Sequence, residues 1–144
     1  MRMPLRNLTL AAALLLATAA AAADRPFAVV VHPDSAATAL SAADVSAAFL
    51  GKTAKWPDGS KVMPVDQAED GPLYKAVADS IHGKSPEALK SFWVKQVFAG
   101  KGAPPPKKAS DAEVLAYVKA NPGAIGYVSS GADVKGVKVV AVKD

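Results

Sequence analysis

The chain has no cysteine, which excludes disulfides, thiolate metal sites, a cysteine nucleophile and a lipid-modified amino-terminal cysteine. Beyond its leader it lacks any uninterrupted apolar run long enough to span a bilayer. It also lacks a nucleophile elbow, since neither "DGSKV" nor "VSSGA" follows G-x-S-x-G, and its two histidines, His32 and His82, have no defined catalytic partner. Nucleic-acid binding needs a concentrated basic face with aromatic stacking positions. Here only Lys101, Lys107 and Lys108 cluster, around a proline run without aromatics, and they read as a solvated loop. No cofactor and no nucleic-acid partner is expected, and an enzyme is the weakest functional class.

What is present begins with an address. "MRMPLRNLTLAAALLLATAAAAAD" joins Arg2 and Arg6 to an apolar run and a set of A-x-A sites. That is the pattern of a signal peptide over 1–23, cleaved near Ala23, leaving no membrane anchor. Loss of Arg2 and Arg6 reduces 17 basic residues to 15 against 13 acidic ones, so the net charge falls from +4 to +2. A cysteine-free exported protein fits a bacterial periplasm. The remaining residues, 24–144, suit one domain with one core.

Along the chain, "PFAVVVHP" reads as a buried strand stopped by His32-Pro33. "SAADVSAAFLG" is a helix with Ser41 and Asp44 at capping-box spacing and Gly51 at its end. "KVMPVD" is a second strand, placed at an edge or bulge by Pro64. Leu73, Ala76, Val77 and Ile81 recur at helical spacing, and a further helix from Ser85-Pro86 carries Leu89, Phe92, Trp93 and Val97 as its buried stripe. "KGAPPPKK" is an extended connector. "SDAEVLAYVKANPG" is a helix capped by Ser110 with Glu113 closing a box, and "AIGYVSS" and "VKVVAV" complete the strands. This order predicts an α/β sandwich.

Two strings invite stronger readings. Gly51-Lys52-Thr53 ends like a P-loop, but Ser46 replaces the first glycine and Gly51 closes a helix, where free carbonyls repel phosphate. The other is "MPVDQAEDGPLYKA", 63–76, a strand, turn and helix start carrying Asp66, Glu69 and Asp70 where many proteins bind an anion. Asp70 is expected to cap the helix and Glu69 to favour its dipole, and Pro72 removes a donor. Such carboxylates compete with an anion for the same N–H groups.

"VVVHPDS", "AADVSAAFLGKTAKWPDGSKVMPVD" and "SDAEVLAYVKANPGAIGYV" together resemble the phosphate-transporter substrate-binding protein family, most specifically in "FLGKTAKWPDGS" and "NPGAIGYV". The resemblance implies a type 2 periplasmic-binding fold, in which two α/β lobes close on an anion and deliver it to a membrane transporter. It also implies two departures. The amino-terminal lobe with its glycine-serine-threonine phosphate loop is missing, leaving a single lobe, a mixed sheet flanked by helices. Where the second lobe of the family carries a loop of the Arg-Ser-Asp-Gly-Ser-Gly-Thr type, this chain has Asp66, Gln67, Ala68, Glu69, Asp70, Gly71 and Pro72.

The candidate ligand-binding residues are Asp66, Gln67, Glu69, Asp70 and Gly71 of that loop, joined by His32, Asp34 and Tyr127. His32 and Asp66 each follow a strand and are expected at the carboxyl ends of a parallel pair. With Asp34 or Glu69 they offer zinc-type donors, but their spacing matches no metal signature and no metal is expected. Tyr127 is expected to face the crevice and orient a ligand through its hydroxyl. A small solute or anion is the candidate ligand, and a membrane transporter or sensor the candidate partner. The alternative is a protein-interaction or adaptor module without a small-molecule ligand.

Overall fold

The computed structural model describes residues 25–143; the expected signal peptide lies outside the described residues. β1 (Phe27–Val31), β2 (Ala39–Ser41), β3 (Met63–Pro64), β6 (Ala124–Ser129) and β7 (Lys138–Lys143) form a five-stranded sheet in the order β2-β7-β1-β6-β3. β1 runs antiparallel to both β6 and β7, while β2 pairs parallel with β7 and β3 parallel with β6. The sheet is therefore mixed, as expected, and Pro64 lies on its edge strand, where a missing N–H is tolerated. A second ladder joins β4 (Asp66–Gln67) to β5 (Lys107–Lys108) in parallel.

Both faces of the sheet are covered, because β1 and β6 carry apolar side chains on each side of the pleat. Phe27, Val29, Val31, Ile125 and Tyr127 face α1 (Ala42–Phe49) and α2 (Pro72–Val77), meeting Val45, Phe49 and Val77. Val30, Ala124 and Val128 face α4 (Asp111–Ala120), meeting Val114 and Val118. Gly126 permits this approach, since a Cβ there would lie 2.8 Å from both Val114 and Val65 side chains. A third cluster docks α3 (Pro86–Phe98) through Leu89 onto Leu50, Tyr74 and Ala78.

Local chemistry sets the helix boundaries. Ser41 and Asp44 make the reciprocal capping box that their spacing predicts. Ser85 accepts the Ala88 N–H ahead of Pro86. At α4, Ser110 Oγ accepts the Glu113 N–H at 3.3 Å, but Glu113 reaches back to the Ala109 N–H at 2.8 Å rather than to the cap residue itself. Ser110→Ala should lower stability by about 1 kcal/mol, read from the denaturation midpoint, without altering the site. An unchanged midpoint would remove the cap from this account.

The structure corrects the sequence reading at several places. β2 is a strand where only a helix cap was expected, and it forms because the chain before Ser41 lies against the β7 edge. The connector after the prolines ends in β5 and, with the Pro106 carbonyl accepting the Asp66 N–H at 2.9 Å, closes over the candidate loop. Val97 is 53% exposed and leaves the buried stripe of α3, which is held by Leu89 with Phe92 and Trp93 half-buried. α2 continues through one wide π-type turn, residues 78–82, before Gly83 stops it at φ +61°. That extra residue turns His82 inward.

Candidate functional site

The loop following β3 is held from beneath by one buried phenol. Tyr127 is fully buried on β6, its ring between Phe27 and Phe49. Its hydroxyl donates to Asp66 Oδ1 at 2.8 Å and accepts the Gln67 N–H at 3.1 Å. Gln67 extends the network, donating through Nε2 to Asp111 Oδ1 at 2.8 Å and to the Tyr127 carbonyl at 3.0 Å. Asp111 also accepts the Ser129 N–H at 3.1 Å. Burial opposes its charge, yet the hydrogen bonds from Gln67 and Ser129 prevail and hold its carboxyl below the usual range.

Asp66 is in the opposite condition. It is 8% exposed, and burial pushes its carboxyl up to about 6, although the Tyr127 hydrogen bond and the Lys107 charge partly offset this. It shares a small pocket of about 10 Å³, roughly the room of one water, with Tyr74, His82 and Trp93. Burial with the nearby charges of Asp66 and Glu69 pushes the Tyr74 phenol up to about 12. Burial and Lys84 push His82 down to about 4, so its imidazole is neutral at pH 7, with Nδ1 hydrogen-bonded to Ser46 Oγ at 2.7 Å. The ring is thus turned into the core rather than toward the last carbonyls of its helix.

At the helix start, Gly71 is the N-cap residue of α2, Pro72 occupies the first turn, and no side chain caps the helix. The expected Asp70 cap does not form. The Gly71 N–H closes a turn onto the Ala68 carbonyl at 3.0 Å, which moves the helix boundary one residue past Asp70 and leaves its side chain exposed. Glu69 likewise turns from the helix dipole to Lys107, with Oε1 and Nζ 3.1 Å apart. Lys107, expected in a solvated loop, is the counter-ion of this corner.

His32 and Asp34 are not brought to the loop. Because β6 lies between β1 and β3 and runs antiparallel to β1 but parallel to β3, the carboxyl ends of β1 and β3 point oppositely. The expected parallel pair does not exist. His32 instead accepts the Asp34 N–H at Nδ1, 3.1 Å away, in its own turn. Tyr127 also differs from expectation, since it faces Asp66 inside the core rather than an open crevice. No group of three or more His, Cys, Asp or Glu residues among those described is arranged to hold a metal.

Asp111, Lys107 and the Ser46–His82 pair were not among the site residues expected from the sequence. Asp111 looks like an ordinary first-turn acid after the Ser110 cap, and only the fold puts it beside Gln67. The arrangement as a whole presents three carboxylates at a short helix start and pairs the adjacent lysine with one of them. Its chemistry is that of a closed, self-satisfied corner. Tyr127→Phe should lower stability by about 2 kcal/mol at pH 7, because it strands a buried carboxylate and the Gln67 N–H together. The loss should shrink at pH 4, where Asp66 holds its proton, and equal losses at both pH values would argue against this assignment.

A mixed sheet with helices on both faces, and a polar loop between a sheet-edge strand and a helix start, make up a single α/β lobe. Residues 17–143 match the PBP superfamily domain, and the chain belongs to that family. No curated protein matches it. Its fold is similar to that of an ABC-type phosphate transport receptor from Vibrio cholerae, with TM-score 0.61 and 21% identity over 81% of this chain and 46% of that one. It is also similar to PstS from Borrelia burgdorferi, with TM-score 0.61 and 15% identity over 81% of this chain and 47% of that one. A protein from Clostridium perfringens crystallised with bound phosphate gives TM-score 0.61 and 20% identity over 81% and 44%. The chain thus spans less than half the length of the solved structures it matches. The family is the PBP superfamily, and the fold is one shared with these structures.

Proposed function

We propose that this chain is a periplasmic solute-binding-type lobe, exported through a cleaved signal peptide, that serves a membrane transporter or sensor without capturing phosphate at its own loop. The family match and the fold shared with phosphate transport receptors support the transport setting. No helix among the described residues is long and apolar enough to cross a membrane.

The observation that carries the phosphate reading is the Glu69–Lys107 ion pair beside buried Asp66. A phosphate arriving at the α2 start would meet Asp66, Glu69 and Asp70 with their Lys107 counter-charge already engaged, and Pro72 offers it no N–H. Desolvating phosphate against such a surface lacks compensating donors. Asp66, Gln67, Glu69, Asp70, Gly71 and Tyr127 remain the proposed site residues, with the open rim at Glu69 to Gly71 and the rest beneath it. The adaptor alternative is favoured by the same closure, because a corner satisfied by its own groups needs no solute to complete it.

Native mass spectrometry of protein taken directly from the periplasm tests this reading. The expected spectrum shows the processed chain without phosphate. Retained phosphate in that spectrum, or an unprocessed chain confined to the cytoplasm, would overturn it.

A further inference from the structure

We infer that the apolar groove between α3 and the proline connector docks a segment of a partner protein that carries a large apolar anchor flanked by carboxylates. The groove has a volume of about 280 Å³ and is walled by Trp93, Val97, Phe98 and Pro104, with Lys90 at its rim beside the Glu69–Lys107 pair. Phe98 is 88% exposed, Val97 53% and Val94 48%. Of the four exposed large hydrophobics among the described residues, these three share one helix, at spacings of three and four that make a single stripe. Scattered exposed apolar residues are ordinary, whereas a concave stripe of them marks an interaction surface.

Charge selects the occupant. Residues 84–108 hold six lysines, at 84, 90, 95, 101, 107 and 108, against the single acid Glu87. The chain after its expected leader is only +2, so this segment, at six lysines less one acid, is net positive and the remainder net negative, and Lys90 and Lys107 of the segment line the groove. Lys107 is paired with Glu69, but Lys90 has no ion-pair partner among the described residues. An apolar anchor with neighbouring carboxylates satisfies floor and rim together.

A second copy fits less well. α3 against itself would set lysines against lysines, and the other exposed large hydrophobic, Val139, lies on β7 beside Lys138. An anionic bilayer fits less well too, because a broad surface would cover Phe98 and Val97 but leave unfilled the concavity they wall, which is sized for one or two side chains. The groove shares Glu69 and Lys107 with the loop, so Phe98→Ser and Lys90→Glu are placed at residues that belong to the groove alone, and phosphate titration reads the loop separately.

The test uses the mature protein and a fluorescent nine-residue synthetic peptide of leucine and phenylalanine interspersed with glutamate. Its lysine-for-glutamate counterpart and phosphatidylglycerol vesicles serve as the other probes. Phe98→Ser and Lys90→Glu change exposed side chains, and circular dichroism verifies that both variants fold. The glutamate peptide should bind, at least tenfold more weakly in each variant and more weakly as salt is raised, while the lysine peptide and the vesicles should not bind. Absence of glutamate-peptide binding, equal binding of both peptides, or full binding by Phe98→Ser would overturn the proposal. Vesicle binding abolished in Phe98→Ser would give the face to a membrane instead, and a concentration-dependent dimer abolished in that variant would give it to a second copy.

Discussion

Between pH 4 and 6.5 the stability of the wild-type protein should be nearly flat, while Asp66→Asn and His82→Gln should show opposite slopes. Asp66 titrates near 6 in the folded chain against an ordinary value of 3.8. Its native state holds the proton to higher pH, so its contribution is full below about pH 4 and is lost as pH rises through 6. His82 titrates near 4 against an ordinary 6.5. Its native state sheds the proton, so its contribution is full above about pH 6.5 and is lost as pH falls through 4. Each difference corresponds to ~3 kcal/mol, somewhat less for His82, which is only partly buried.

The two contributions therefore cancel in the wild type. Removing the Asp66 carboxyl leaves stability rising with pH, and removing the imidazole leaves it falling. Asp58 and Asp111 are both held below their ordinary range and act mainly below this window. Urea midpoints measured at half-unit intervals check the prediction, and parallel profiles for all three proteins would contradict the burial of these two groups.

The second large effect concerns Gly123. A Cβ there would stand 1.8 Å from the Lys61 carbonyl oxygen, which is backbone and has no rotamer by which to move away. The same residue's carbonyl accepts the Met63 N–H at 3.0 Å and the Trp56 indole N–H at 2.9 Å, so displacing it undocks β3 and the turn before it. Gly123→Ala should lower stability by about 3 kcal/mol or more. Gly126→Ala should do less, because the atoms it meets at 2.8 Å belong to valine side chains. Gly131→Ala meets nothing within 4 Å and serves as the neutral control. Thermal melts of the three variants rank them, and a Gly123→Ala midpoint equal to that of Gly131→Ala would contradict the close approach.

Much of this architecture is written in local pattern. The valines of β1, the Ser41 and Ser85 caps and the asparagine-proline-glycine stop after α4 each act within a few residues, so spacing reveals them. Two-residue strands are different. β4 and β5 exist only because Asp66 and Lys107 meet across 41 positions of chain, and no periodicity can show in so short a run. The position of the loop was legible from its strand, turn and helix start. Its inner chemistry was not, because the partners Tyr127 and Asp111 come from β6 and α4. The failed pairing of His32 with Asp66 has the same origin: strand direction is fixed by connectivity, and β6 inserts between β1 and β3.

The central claim is that the chain's own carboxylates close the corner where an anion would bind. Replacing Asp66 would not test it, since that side chain is buried against Tyr127. Glu69→Gln is the better variant, because it frees Lys107 at a half-exposed position without disturbing the core. Calorimetric titration of phosphate into the mature wild-type protein at pH 7.5 should show no saturable heat, with at most weak binding gained in Glu69→Gln. Saturable micromolar binding by the wild type would contradict the account.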